Sequence, residues 1–280
     1  MKTYQYKQVD VFTSVPFKGN PLAVILDADG LSDSTMRSIA AWTNLSETVF
    51  VQKSARADYL LRIFGPRGEL PFAGHPTIGS AHALREAGII PPEKHECIQE
   101  CQAGLIPIRF NEDNTAVARV PKAKVLTDRP DSDELNRAMN YGFQEYALLI
   151  DVGPLWIVAR IDTYENLYAL DVDAGRLSAL SRRHGSTGIS VYVVDDDKGI
   201  HVRSFAPAHG ILEDPVCGSG NAAVACHIRE TGLSRTVGLS YTAYQGKALD
   251  RDGRVNIRLE NDNILIGGES VTIIDGKIKF

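Results

Sequence analysis

The 280-residue chain contains no run of 18 apolar residues, no block of basic residues and only four cysteines. The first absence argues against a helix that crosses a bilayer. Thirty basic against thirty-five acidic residues leave a net charge of -5, so neither nucleic acid nor a membrane surface is an expected partner. Cys97, Cys101, Cys217 and Cys226 are too few to staple a chain of this size, and a reducing cytoplasm is the expected location. The start, MKTYQYKQVDVF, alternates polar and apolar residues and lacks the basic stretch and apolar core of a signal peptide. No phosphate-binding Walker loop or GxGxxG turn follows a strand-like run, and the GSGN at 218–221 lacks the dinucleotide-binding context. His95, Cys97 and Cys101 lie close in sequence, but 96–102 reads as a strand. Its extended rise would hold the two thiols too far apart for one ion without a kink. Neither a metal nor a cofactor is therefore expected.

What the chain does contain is a repeat. PFAGHPTIGSAHALREAG (71–88) aligns without a gap on PVCGSGNAAVACHIRETG (215–232), 144 positions later. Pro71, Gly74, Ala81, Arg85, Glu86 and Gly88 match Pro215, Gly218, Ala225, Arg229, Glu230 and Gly232, whereas Ala73 faces Cys217 and His75 faces Ser219. Upstream, Arg62-Ile63-Phe64-Gly65-Pro66 answers Arg203-Ser204-Phe205-Ala206-Pro207, with three extra residues before Pro215. SETVFV (46–51) has the hydrophobic outline of GISVYV (188–193). Two copies are too few for a solenoid, so the repeat predicts two similar domains facing each other, a division that the length also suits. The boundaries fall at 1–120 and 121–267, with 268–280 a candidate completion of the first domain, because the polar, proline-containing stretch 121–133 separates the halves.

Strand-like runs dominate the first half, at 4–12, 21–26, 48–52, 58–64, 96–102, 105–110 and 115–120, rich in β-branched and aromatic residues and punctuated by Gly, Asn and Asp. A helix is expected over 32–44, with Ser32 as N-cap and Met36, Ile39, Ala40 and Thr43 on one face, and another over 75–87. In the second half, Asp131 with Glu134 reads as a capping box for a helix at 131–140. A helix at 173–184, strands at 189–194 and 200–205 and a helix at 219–231 follow, with final strands at 271–274 and 277–280. The duplicated helices carry small residues on nearly every face, Gly79, Ser80, Ala81 and Ala83 in one and Gly220, Ala222, Ala223 and Ala225 in the other. Helices of that kind suit enclosure on all sides. The expected class is α+β, each domain a curved, mostly antiparallel sheet rolled around a central helix.

Both duplicated helices begin at a glycine turn, Gly74-His75 and Gly218-Ser219-Gly220. Unpaired backbone N–H groups and the helix dipole favour an anion such as a carboxylate there, although such turns also serve simply as tight connections.

Four segments in order, FKGNPLAV (17–24), NLSETVFV (44–51), PFAGHPTIG (71–79) and EDPVCGSGN (213–221), resemble the signature segments of the PhzF family of phenazine-biosynthesis isomerases. The resemblance implies a diaminopimelate epimerase-like fold, an active site between two pseudo-symmetric domains, a homodimer, and movement of a proton along a small carboxylate-bearing molecule without a cofactor. It implies Glu47 as the acid/base carboxylate, with His75 and Asp214 lining the pocket and orienting substrate or shuttling protons. Gly74, Gly218, Ser219, Gly220 and Asn20 fall in the substrate-binding set.

Other readings of these residues stay open. Glu47 could be a solvated charge before a strand, His75 a core histidine, and Asp214 a brace for the turn ahead of Gly218. Cys217 stands where the resemblance implies threonine, and is either a thiol acid/base, since a helix N-terminus lowers a thiol pKa, or a small filler. Ala73 in the first copy removes the second thiol of a two-thiol racemase, and Ile189 is the approximate counterpart of Glu47. Three functions follow: a one-carboxylate isomerase, a racemase or epimerase pairing Cys217 with an opposing carboxylate, and a small-acid-binding protein without chemistry.

Overall fold

In the computed structural model, residues 2–65, 68–197 and 199–280 are described. Pro66 of the upstream repeat lies outside them. The chain divides into two compact units, Met1–Arg119 with Gly267–Phe280, and Val120–Ile266. Unit 1 opens with β1 (Thr3–Val11), β2 (Asn20–Leu26), α1 (Asp33–Thr43), β3 (Thr48–Gln52), β4 (Tyr59–Gly65) and β5 (Gly68–Leu70), followed by α2 (Gly74–Glu86), β6 (Glu96–Cys101), β7 (Gly104–Phe110) and β8 (Ala116–Arg119). Unit 2 begins with β9 (Lys124–Val125), α3 (Ser132–Met139), β10 (Leu148–Asp151), β11 (Leu155–Arg160), α4 (Tyr164–Ala169), α5 (Ala174–His184), β12 (Gly188–Asp195), β13 (Gly199–Ala206) and β14 (Ile211–Asp214). It continues through α6 (Gly218–Glu230), α7 (Ser234–Val237), β15 (Ser240–Gln245) and β16 (Gly253–Glu260), and β17 (Asn263–Gly268) carries the chain out again to β18 (Ser270–Lys279).

The pairing repeats more completely than the sequence does. In unit 1, β1–β2 is antiparallel, β2–β3 parallel, β3–β4 antiparallel, β4–β6 parallel and β6–β7 antiparallel. In unit 2, the pairs β10–β11, β11–β12, β12–β13, β13–β15 and β15–β16 follow the same alternation. Short strands β5 and β14 attach to β4 and β13 in the same way. The unit of repetition is thus a whole α+β domain core of which the aligned helix is one part.

Each duplicated helix is the axis of its own unit. Ten of the thirteen residues of α2 and ten of the thirteen of α6 are buried, so little of either helix but its ends meets solvent. Helix α2 touches β18, β1, β2 and β3 and also β8 at the other end of the sheet, which requires the sheet to curl around it. Small residues permit this closeness. A Cβ on Gly79 would stand 2.6 Å from Val11 Cγ2 and 2.8 Å from Leu22 Cδ2, far inside van der Waals contact.

The outer faces of the sheets carry the amphipathic helices. Met36, Ile39 and Ala40 of α1 pack with Ile25, Phe50 and Phe64. Leu135, Ala138 and Met139 of α3 and Leu177 and Leu180 of α5 pack over Leu149, Ile157, Val191 and Phe205. Ser32 Oγ accepts the Thr35 N–H at 3.2 Å, and Asn44 ends α1 in the left-handed region at φ 53°. Asp131 Oδ1 accepts the Glu134 N–H at 2.9 Å, but Glu134 pairs with Arg183 instead of reaching back. The expected capping box is therefore a single cap, since an arginine gives that carboxylate a stronger, charged partner.

The C-terminal segment forms one strand in place of the two expected at 271–274 and 277–280. β18 runs antiparallel to β1 from Thr3↔Lys279 to Val11↔Ser270, with an irregularity between Gln8 and Val9. Lys7, only 4% exposed, fastens it: its Nζ meets Asp275 at 2.7 Å and Glu86 of α2 at 2.9 Å. Burial alone would lower the Lys7 pKa, but the two carboxylates outweigh it and raise the value. Among the described residues no helix is long and apolar enough to cross a membrane.

Candidate active site

Unit 1 gathers Asn20, Ser46, Glu47 and His75 from three separate stretches of chain. Asn20 opens β2 and is buried, and its Oδ1 accepts the Ser46 hydroxyl at 3.4 Å. Glu47 follows, at the last position before β3, where the chain has not yet entered the sheet ladder. Its Oε2 lies 3.5 Å from Nδ1 of His75, the second residue of α2, whose side chain is 5% exposed. The Glu47 side chain keeps 17% exposure, yet Oε2 itself is sealed and accepts no hydrogen bond among the described residues.

That environment decides the protonation of Glu47. Loss of water around the carboxylate penalises its charged form and pushes its pKa from 4.5 up to about 7, while a hydrogen bond from Ser46 works in the opposite direction. Burial wins because the one Ser46 hydroxyl proton, shared with Asn20 Oδ1, replaces only part of a carboxylate's hydration shell. A group that ionises near neutrality is present in both forms at physiological pH, which suits it to take and to return a proton.

Unit 2 builds the corresponding turn with different chemistry. Cys217 is the N-cap of α6, and its Sγ accepts the Gly220 N–H at 3.2 Å. Ala73, its counterpart, gives α2 no side-chain cap. Cys217 is thus more than a filler: the thiol satisfies a donor that the helix start would otherwise leave open. Asp214 accepts the Val216 N–H on Oδ1 at 3.1 Å, so one of its oxygens braces the turn. Gly220 is required by packing, because a Cβ there would stand 2.6 Å from both Ser190 Oγ and Ser204 Oγ.

Two residues that hold this turn carried no signal in the sequence. Gln245, 2% exposed at the end of β15, accepts the Cys217 N–H at 3.1 Å and an Asn221 side-chain N–H at 2.7 Å through Oε1, and donates from Nε2 to the Asp214 carbonyl at 2.9 Å. One amide thereby pins residues 214–221 with all but one of its hydrogen-bonding positions. Trp156 of β11 donates from its indole nitrogen to Ser219 Oγ at 3.1 Å. Neither partnership is local, and a glutamine or tryptophan in a strand has no motif to mark it.

The structure therefore joins Asn20, Glu47 and His75 in unit 1, with Gly74 opening α2 beside them. Asp214, Cys217, Gly218, Ser219 and Gly220 are joined in unit 2. The positions of Glu47 and Ile189 also differ in character. Ile189 is fully buried in the apolar cluster of unit 2, so the carboxylate belongs to one copy only.

Residues 9–276 match the family PhzC-PhzF, phenazine biosynthesis-like protein. Antisense-enhancing sequence 1 of Schizosaccharomyces pombe is 39% identical, over 99% of this chain and 99% of its own length. The trans-2,3-dihydro-3-hydroxyanthranilate isomerase of Pseudomonas chlororaphis is 31% identical over 98% of this chain and 99% of its own. A crystal structure of a Bacillus anthracis phenazine biosynthesis protein of the PhzF family superposes with a TM-score of 0.85 at 25% identity, covering all of both chains. The α+β fold of sheets rolled around central helices is the one shared with that structure. With a match spanning nearly its whole length and relatives of this identity, the chain belongs to the PhzC-PhzF family of phenazine biosynthesis-like proteins, a family of isomerases.

Proposed function

We propose that this protein is a cofactor-independent isomerase that moves a proton within a small, carboxylate-bearing molecule, with Glu47 as the group that takes and returns it. The observation that carries this reading is the Glu47 carboxyl, sealed at Oε2, pushed up to about 7 and set 3.5 Å from His75 Nδ1. As carboxylate, Glu47 breaks a C–H bond of the substrate, and the electron pair left behind shifts the adjacent double bond. As carboxylic acid, it then gives the proton to the far carbon of the conjugated system. No electron is gained or lost overall, and the base is regenerated.

His75 and Asp214 assist by orienting substrate or relaying protons. Gly74 and Asn20 in unit 1, and Gly218, Ser219 and Gly220 in unit 2, are assigned to its polar groups. The glycine turn that opens each duplicated helix, where backbone N–H groups and the helix dipole favour an anion, supports that assignment. The relatives named trans-2,3-dihydro-3-hydroxyanthranilate isomerase supply the first substrate to try.

Cys217 favours a second reading, an epimerase in which its thiol opposes a carboxylate, because Sγ is met by the Gly220 N–H and lies 3.5 Å from Ser219 Oγ. Turnover of trans-2,3-dihydro-3-hydroxyanthranilate in deuterated water separates the two. The isomerase yields product with a shifted double bond and solvent deuterium at the new C–H position where exchange occurs. Inversion with deuterium at the original carbon would favour the epimerase, and binding with neither outcome would leave a non-catalytic acid-binding protein.

A further inference from the structure

We propose that Trp156 is a positioning residue that fixes the Ser219 hydroxyl as a hydrogen-bond donor toward a bound carboxylate. The proposal rests on the reading that Ser219 holds substrate. An indole nitrogen can only donate. With Trp156 Nε1 at 3.1 Å, Ser219 Oγ must accept, and its own proton must point elsewhere. The Cys217 sulfur lies 3.5 Å away, and a carboxylate, which only accepts, is a stronger taker of the Ser219 proton than a thiol.

The arrangement is rigid on one side and open on the other. Trp156 is 2% exposed within β11, flanked by Ile150 of β10 and Gly188 of β12, so its ring cannot swing away. Gly218, Gly220 and Asn221 in the first turn of α6 are buried, and Ser219 alone among them is partly exposed. The partly exposed residue of the turn is thus the one whose lone pair is held by the buried indole. A donor set in this direction before binding favours an anion and disfavours a cationic group at the same place.

The test is a double-mutant cycle read by calorimetric titration with 3-hydroxyanthranilate, a stable aromatic analogue of the candidate substrate. Ser219→Ala and Trp156→Phe should each weaken binding about tenfold, the loss expected for one hydrogen bond. The double variant should be no weaker than Ser219→Ala alone, because Trp156 acts only through Ser219. Additive losses, about a hundredfold together, or an unaltered Trp156→Phe protein would overturn the proposal.

A second readout covers a Trp156→Phe chain that fails to fold, or a wild type that does not bind the probe. Trp42 and Trp156 are the only tryptophans, and Trp42 is 80% exposed, so a Trp42→Phe background leaves one indole N–H resonance. Ser219→Ala should shift that signal and hasten its solvent exchange; an unmoved signal would overturn the proposal. Absence of probe binding with a moved signal would count against the proposed substrate class while upholding the Trp156–Ser219 link.

Discussion

Glu47→Gln is expected to lower turnover of trans-2,3-dihydro-3-hydroxyanthranilate by roughly 10³-fold or more, the upper part of the range for a general acid/base, while leaving ligand binding nearly intact. Glutamine keeps the shape and the polarity of the protonated carboxyl, so Ser46 and His75 lose no partner. What it lacks is an oxygen that can hold a substrate proton. The separation of effects is diagnostic: kcat falls and KM changes little, as for an interaction made only in the transition state. Loss confined to KM would instead make Glu47 a binding residue.

The same substitution should make the protein more stable at alkaline pH. The folded chain holds the Glu47 proton up to about pH 7, whereas the unfolded chain releases it near 4.5. Below 4.5 both states are protonated and the carboxyl costs nothing. Between 4.5 and 7 the unfolded state alone ionises, and stability falls; above 7 the full penalty is present. A difference of that size corresponds to about 3 kcal/mol. Urea unfolding should therefore find Glu47→Gln equal to the wild type at pH 4 and about 3 kcal/mol more stable at pH 8. Equal stability at both pH values would mean that the carboxylate is well solvated. An enzyme that gains stability on losing its base is storing an unfavourable charge where the chemistry needs it.

The elements of the fold are unequally visible in the sequence. The enclosed helices declared themselves through Gly79, Ala81, Ala223 and Ala225, because a helix that touches backbone on every side has no room for larger residues. The outer helices announced themselves through Ser32, Asp131 and the spacing of Met36, Ile39 and Ala40. The strands of 148–160 and 240–268 are not among those the sequence leads one to expect, and β5 and β9, of three and two residues, are too short for any alternation to register. The identical order of parallel and antiparallel pairs in the two units lay hidden for a further reason. Backbone hydrogen bonds preserve pairing while side chains diverge as far as Glu47 from Ile189.

The candidate site was legible only in part. Glycines, His75 and Cys217 stand out in the repeat, but nothing local distinguishes Glu47 from an ordinary surface acid; its motif did. Its altered ionisation comes from burial, with His75, 28 positions away, beside it, and burial is not a property of a short motif. Gln245 and Trp156 were invisible for the same reason, the first lying 28 positions from the Cys217 N–H it accepts and the second 63 positions from Ser219.

The central claim is that Glu47 exchanges its proton near neutral pH, and the most direct measurement is its own titration. Carbon-13 NMR of glutamate-labelled protein, with the Glu47 signal assigned by its loss in Glu47→Gln, reports the carboxyl through the whole pH range. An inflection near pH 7 is expected. An inflection near 4.5 would contradict the account, because a carboxyl that acidic spends almost no time at neutral pH in the form that returns the proton.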